Sequence, residues 1–135
     1  MFESMNQKYA LVATVFAAAM SLSNTALAGA SDYVFEPVKA EVTKGNGVVV
    51  TVRLVHKPTG KPVTEAVIFS PRIDMSPEGM GTMAAPLTPV DGGEPGTYSF
   101  KTDLVMAGGW LLSLSAKVQG EPETVQCKIT FRATN

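Results

Sequence analysis

Residues 110–118 read WLLSLSAKV, and residues 124–131 read TVQCKITF. Apolar residues occupy alternate positions in both segments, and the intervening positions are polar apart from Leu111. The alternating apolar residues are Trp110, Leu112, Leu114, Ala116 and Val118 in the first segment and Val125, Cys127, Ile129 and Phe131 in the second. This period of two is typical of strands that pack one face on a core. Because GEPE joins them, we expect a hairpin that supplies much of the core, with Trp110 as its central aromatic residue.

Strand-like segments with strong turn signals between them fill the rest of the chain after residue 30. They are YVFEPV (33–38), AEV (40–42), NGVVVTVRLVH (46–56), VTEAVIFSP (63–71) and TYSFK (97–101). The fourth segment is expected to end at Pro71, because proline cannot donate to a sheet ladder. We count about seven short strands and find no helical pattern in this part. An all-β fold, an antiparallel β-sandwich, is therefore predicted.

The N-terminal segment has the pattern of a secretory signal peptide. A polar opening with Lys8 precedes an uncharged apolar run from Tyr9 to Leu22, and small residues follow at Ala26 and Ala28. We expect a signal helix within residues 1–28, cleaved near Ala28, and a periplasmic or secreted protein. An uncleaved signal acting as a membrane anchor is the alternative, although the run is shorter than the roughly 18–20 residues that span a bilayer. Residues 29–37 are then a loose lead-in, and residues 38–135 form one sandwich domain.

Charge and reactive residues exclude several classes of function. The formal net charge is −1 and no basic stripe is present, which argues against nucleic acid as a partner. His56 is the only histidine, no serine has a nucleophile-elbow context, and the glycine-rich GNG and DGG segments are turn signals. Cys127 is the only cysteine, and the alternation of its strand indicates a small core residue. We therefore predict that the protein is not an enzyme.

The remaining distinctive residues are methionines. The segment RIDMSPEGMGTM (72–83) contains Met75, Met80 and Met83 and is interpreted as a loop leaving a strand, while Met106 precedes the Trp110 strand. Thioethers favour Cu(I), so these four residues are candidate copper ligands, with His56 as a possible addition. Methionine also fills irregular gaps over a core, and Met75 shares a face with Ile73. Both interpretations stay open on the sequence alone.

Four segments give the chain a family resemblance. GKPV (60–63), RIDMSPEGMG (72–81), GTYSF (96–100) and MAGGWLLSL (106–114) resemble the YtkA-like and FixH-like proteins over about residues 38–131. The resemblance implies a small immunoglobulin-like domain outside the cytoplasmic membrane, associated with heavy-metal efflux or with copper supply to respiratory oxidases. The family's methionine positions fall on Met75, Met80, Met83 and Met106. FixH-like proteins usually keep a membrane-spanning N-terminal helix, whereas the ALA-GA junction here favours cleavage.

Two functions follow as expectations. The first is a non-enzymatic exported domain that handles copper as Cu(I) in the periplasm, for efflux or for respiratory enzymes. The second is a metal-free accessory module that uses the same methionine segment to contact a periplasmic or membrane protein partner of a transport or respiratory complex. The sequence does not specify the oligomeric state.

Overall fold

The computed structural model describes residues 30–135, most of which lie in β-strands. Two short 3₁₀ turns, Ala30–Asp32 and Ser76–Glu78, complete the regular structure of this range. The strands are β1 (Tyr33–Pro37), β2 (Glu41–Thr43), β3 (Gly45–His56), β4 (Lys61–Pro62), β5 (Ala66–Met75), β6 (Met80–Ala85), β7 (Leu87–Val90), β8 (Thr97–Leu104), β9 (Gly108–Val118) and β10 (Thr124–Thr134). The signal helix predicted within residues 1–28 and the cleavage site near Ala28 lie outside the described residues.

The strands form two sheets around one apolar core. One sheet has the order β1-β3-β8-β7, with β4 also pairing with β3, and the other has the order β2-β10-β9-β5-β6. Neighbouring strands are antiparallel apart from the β2–β10 pair, which is parallel. The predicted immunoglobulin-like β-sandwich is confirmed. Residues 30–135 contain ten strands instead of about seven: β4 and β7 have only two to four residues and show no visible alternation, and β6 lies in the segment expected to be a loop.

The β9–β10 hairpin forms the centre of the core, as its alternation predicts. Trp110 is 1% exposed, and it stands opposite Phe131 in the hairpin register. The sheet that contains β3 and β8 packs against them with five buried side chains: Val50, Val52, Leu54, Phe100 and Leu104. Cys127 is also buried, and this burial raises the pKa of its thiol to about 12. The prediction that Cys127 is a small core residue is confirmed.

The N-terminal residues are more ordered than the expected loose lead-in over 29–37. Tyr33–Pro37 form β1, which pairs with β3 from Tyr33 opposite His56 to Pro37 opposite Val52. The Tyr33 hydroxyl donates to Glu121 Oε2 at 2.8 Å, and burial together with this bond raises the pKa of Tyr33 to about 12. Residues 33–37 therefore form the strand expected from YVFEPV, and the loose lead-in assigned to 29–37 does not hold for them. The chain then crosses to the other sheet, where β2 pairs with β10.

Strand β5 does not end at Pro71 but continues to Met75. The register with β9 shifts between Phe69 and Arg72, and Ser70 has a φ of 54°. Pro71 therefore lies in a β-bulge, where its missing N–H costs the ladder nothing. The segment 72–83 is consequently not a loop: it is a hairpin formed by the end of β5, the Ser76–Glu78 turn and β6.

Candidate functional site

The β5–β6 hairpin places Met75 and Met80 opposite each other. Met75 ends β5, Met80 begins β6, and their Cα atoms are partners in the strand register. Pro77 fits the first turn of the 3₁₀ segment because its fixed φ suits a helical start. Gly79 has a φ of 77°, which only glycine adopts easily, and its N–H donates to the Ser76 carbonyl at 2.9 Å. This local chemistry reverses the chain within four residues.

A buried carboxylate holds the hairpin together from inside. Asp74 Oδ1 accepts the Ser76 N–H at 2.9 Å, and Asp74 Oδ2 accepts from Arg72 Nε at 2.8 Å. Arg72 Nη2 also donates to the Gly81 carbonyl at 2.8 Å, so the guanidinium connects the two strands. The hydrogen bonds from Ser76, followed by the contact with Arg72, hold the pKa of Asp74 below its ordinary value. The carboxylate is therefore ionised at neutral pH and fixes the start of the turn.

The β8–β9 turn carries the fourth methionine. Met106 is 39% exposed and follows Val105, which is 52% exposed. The Met106 carbonyl accepts the indole N–H of Trp110 at 3.0 Å. The backbone of Met106 is thus tied to a buried aromatic residue of the core, while its side chain lies at the surface.

The two turns contact each other at one end of the sandwich. Glu78 Oε2 accepts the backbone N–H of Gly109 at 2.7 Å. A Cβ atom added at Gly108 would lie 3.1 Å from Glu78 Oε2 and 3.2 Å from the Met75 methyl carbon. A Cβ atom added at Gly109 would lie 3.1 Å from Pro77 Cβ. The Gly108–Gly109 pair therefore allows the Ser76–Glu78 turn to pack directly on the start of β9.

The structure brings the four predicted methionines to this end of the sandwich, but with different exposures. Met80 is 37% exposed, close to the 39% of Met106. Met83 is half-buried on β6 and packs against the core. Met75 is 1% exposed, as the packing interpretation of this residue predicts. We call Met80, Met83 and Met106 the methionine surface, and Met75 lies beneath it.

His56 does not join the methionine surface. The register of β3 with β8 places Gly45 opposite Leu104 and Arg53 opposite Thr97, so His56 is at the other end of the sandwich. From the first to the last of the 12 residues of β3, at about 3.3 Å per residue, the separation from Leu104 is roughly 35 Å. His56 Nδ1 is hydrogen-bonded to Thr59 Oγ1 at 2.8 Å, and its ring packs on Tyr33 with centroids 5.1 Å apart. His56 is a structural residue of that end.

Harder metal donors are not grouped into a site in residues 30–135, and a cleft at the His56 end lies away from the methionine surface. Within this range no three His, Cys, Asp or Glu side chains are grouped as a metal-ligand set. A cleft of about 580 Å³ is lined by residues around Arg53, Pro62 and Glu94, at the His56 end. The same part of the chain contains no helix with the length and hydropathy of a membrane span. The methionine surface is thus an open surface formed by two turns and an edge strand.

Sequence reasoning missed Glu78, Gly108 and Gly109, which join the two turns. The segment SPEG gives no local sign that its glutamate contacts a backbone amide 31 positions away. The adjacent glycines before Trp110 are the single hint, because paired glycines often mark a close approach of another backbone.

Comparison with known proteins places the chain in a family. A model of the YtkA-like family matches residues 27–115, which is well over half of the chain and includes the methionine hairpin. A search of the curated proteins gives no significant match.

Two solved structures resemble the fold at low identity. A crystal structure of the Lin-41 filamin domain matches with a TM-score of 0.46 and 13% identity, covering 76% of this chain and 92% of that one. The ZirS C-terminal domain matches with a TM-score of 0.46 and 12% identity, covering 100% of this chain and 88% of that one. These values carry no argument about function. The match to the family model does establish kinship, and the chain belongs to the YtkA-like family.

Proposed function

We propose that the protein is an exported, non-enzymatic domain that binds Cu(I) at the methionine surface and takes part in periplasmic copper handling. The supporting observation is that two exposed methionines flank the contact between Glu78 and Gly109: Met80 begins β6 just after Glu78, and Met106 lies just before Gly109. Soft thioether ligands select Cu(I) over harder ions, and a small number of them suffices. The donors present therefore fit a Cu(I) ion.

The four methionines have different roles in this proposal. Met80 and Met106 bind the ion from the two turns, and Met83 contributes from β6 after a small side-chain movement. Met75 is fully buried against Gly108 and supports the turn from below instead of binding the ion. His56, which lies at the other end of the sandwich, has no part in the site.

The cellular setting is also proposed. The apolar run from Tyr9 to Leu22 and the small residues up to Ala28 support export with cleavage of the signal. An exported Cu(I)-binding domain would pass the ion toward an efflux system or a respiratory enzyme. An ion held by thioethers on an open surface suits this role, because a partner can approach the ion directly.

A second candidate function uses the same surface without a metal. Val105 is 52% exposed and adjoins Met106, so the methionine surface is continuous with an apolar side chain that binds no ion. Flexible methionines adapt to varied partners, and such surfaces serve as contacts between proteins. In this candidate function the domain docks on a membrane transport or respiratory complex.

A competition titration separates the two functions. The purified chain would be titrated with Cu(I) against a coloured chelator under reducing conditions, in parallel with a Met80→Leu/Met106→Leu double variant. We expect the double variant to bind Cu(I) at least about tenfold more weakly, because leucine keeps the volume but has no sulfur donor. Met75→Leu is the matched control and should bind as the wild type does.

The opposite pattern supports the contact function. Equal and weak competition by the wild type and the double variant would contradict copper binding at this surface. Under the second function, Met→Leu changes leave the docking of the domain on its complex intact, whereas Val105→Asp disrupts it by placing a charge in an apolar contact.

A further inference from the structure

We infer that Glu78 is the positioning residue of the copper site, because its carboxylate joins the turn that carries Met80 to the turn that carries Met106. This inference rests on the proposed copper function. It assigns to Glu78 a role that neither its sequence context nor its charge indicates, since the carboxylate would act through the backbone of Gly109 and not on the ion itself.

The hydrogen bonds around the hairpin separate into two groups. The bonds from Asp74 to Ser76, from Arg72 to Asp74 and from Arg72 to Gly81 stay within the hairpin and set its shape. The bond between Glu78 Oε2 and the Gly109 N–H, at 2.7 Å, leaves the hairpin and reaches the first residues of β9. The register of β5 with β9 already joins the base of the hairpin to β9 as far as Asp74 opposite Leu111, and the Glu78 bond extends this link to the tip of the hairpin.

The glycines opposite Glu78 make this contact possible. Gly108 has a φ of 131°, and a side chain at Gly108 or at Gly109 would come within 3.3 Å of Glu78 Oε2. A carboxylate that accepts a backbone N–H makes a charge-assisted hydrogen bond, which is stronger than one between neutral groups. The Met75 methyl group and Pro77 also lie against these two glycines, so apolar contacts flank the hydrogen bond.

The link has a direct consequence for metal affinity. If the turns are fixed to each other, the thioethers of Met80 and Met106 are held near a common position before the ion arrives. If the link is lost, the tip of the hairpin beyond the β5–β9 register is free to move, and the ion must order this tip when it binds, which weakens binding. Residues that orient metal ligands from outside the coordination sphere typically change affinity by about 10- to 100-fold when they are replaced.

The experiment compares Glu78→Ala and Glu78→Gln with the wild-type chain. The control is Glu94→Ala, which removes an exposed glutamate at the opposite end of the sandwich, 3.8 Å from Arg53. Three quantities would be measured: the dissociation constant for Cu(I), the melting temperature, and the hydrogen-exchange rate of the Gly109 amide by NMR. The last quantity reports the link in the absence of any metal.

We expect Glu78→Ala to bind Cu(I) about 10- to 100-fold more weakly and to expose the Gly109 amide to faster exchange. Glu78→Gln keeps an acceptor oxygen at the same place and should recover most of the affinity. Glu94→Ala should match the wild type in Cu(I) affinity and in the exchange rate of the Gly109 amide. If Glu78→Gln restores the Cu(I) affinity and neither variant changes the melting temperature, Glu78 acts by positioning the hairpin on β9. The same result excludes a general loss of structure as the cause of weaker binding.

Two results would overturn the inference, and they differ from each other. If the wild type binds Cu(I) tightly and Glu78→Ala binds it equally well, the positioning role is wrong and the copper function stands. If the wild type does not bind Cu(I), the copper function fails and the role of Glu78 toward the ion fails with it. The Gly109 exchange rate then still shows whether Glu78 joins the two turns.

Discussion

Replacing Met75 by alanine tests whether this methionine supports the turn or binds the ion. The side chain is 1% exposed, and its methyl group packs where Gly108 leaves room for it. Truncation of a fully buried methionine to alanine lowers the free energy of unfolding by about 2–5 kcal/mol, because contacts are lost and a cavity is left. A loss of about 3 kcal/mol in a domain of this size corresponds to a melting temperature lower by about 12–24 °C.

The assay is urea unfolding followed by the fluorescence of Trp110, the only tryptophan of the chain and a buried one. Met80→Ala is the matched control, because Met80 is one of the exposed methionines of the same hairpin. We expect this change to alter the free energy of unfolding by less than about 0.5 kcal/mol. Met75→Leu, which nearly conserves volume, should cost less than about 1.5 kcal/mol.

The reasoning is refuted if Met75→Ala unfolds at the same urea concentration as the wild type. It is also refuted if Met80→Ala and Met75→Ala lose similar amounts of stability with unchanged slopes. Either result would mean that Met75 is not part of the packed core, and its exclusion from the ligand set would lose its basis.

Three further predictions concern stability. Gly109→Ala should lower the free energy of unfolding by about 1–3 kcal/mol, because its methyl group would crowd the Ser76–Glu78 turn, whereas Gly81→Ala has room and should be nearly neutral in the same thermal melt. Burial raises the pKa of Cys127 from 9.0 to about 12, so the stability that the protonated thiol contributes below pH 9 should be lost as the pH rises toward 12. In urea unfolding, the free energy of unfolding of Cys127→Ala should therefore fall less steeply over this pH range than that of the wild type. The pKa of Asp74 is lowered from 3.8, so its carboxylate stabilises the fold above that pH. Asp74→Asn should be less stable than the wild type by about 1–3 kcal/mol at pH 7. In acid unfolding curves, this difference in the free energy of unfolding should shrink as the pH falls below 3.8.

The parts of the fold that could be predicted from the sequence are those in which one strand face is buried and the other is solvated. The alternation of β9 and β10 gave the hairpin, the inward direction of Trp110 and the burial of Cys127. The same reasoning gives Met75 a core position as one of its two interpretations, because Met75 lies two positions from Ile73 on one strand face, and the side chain is buried. Local pattern was sufficient in each case.

The parts that could not be predicted depend on contacts between distant segments. Pro71 indicated the end of a strand, but the bulge at Ser70 lets β5 continue, and a bulge has no strong local signature. Segment 72–83 has the sequence of a loop because it follows Pro71 and contains two glycines. The contact between Glu78 and Gly109 and the distance of His56 from the methionines both follow from strand register.

The parallel pairing of β2 with β10 has a consequence for the order in which the chain can fold. Lys44, just after β2, donates its N–H to the Thr134 carbonyl at 2.8 Å, and β10 lies between β2 and β9 in its sheet. β10 is therefore an interior strand of its sheet, and it brings Phe131 and Ala133 into the core. Because its partner β2 ends about 80 residues before β10 begins, the core cannot close until residues 124–134 are available. Deletion of Phe131 and the three residues after it would remove the pairing of β2 and open the sheet in its interior.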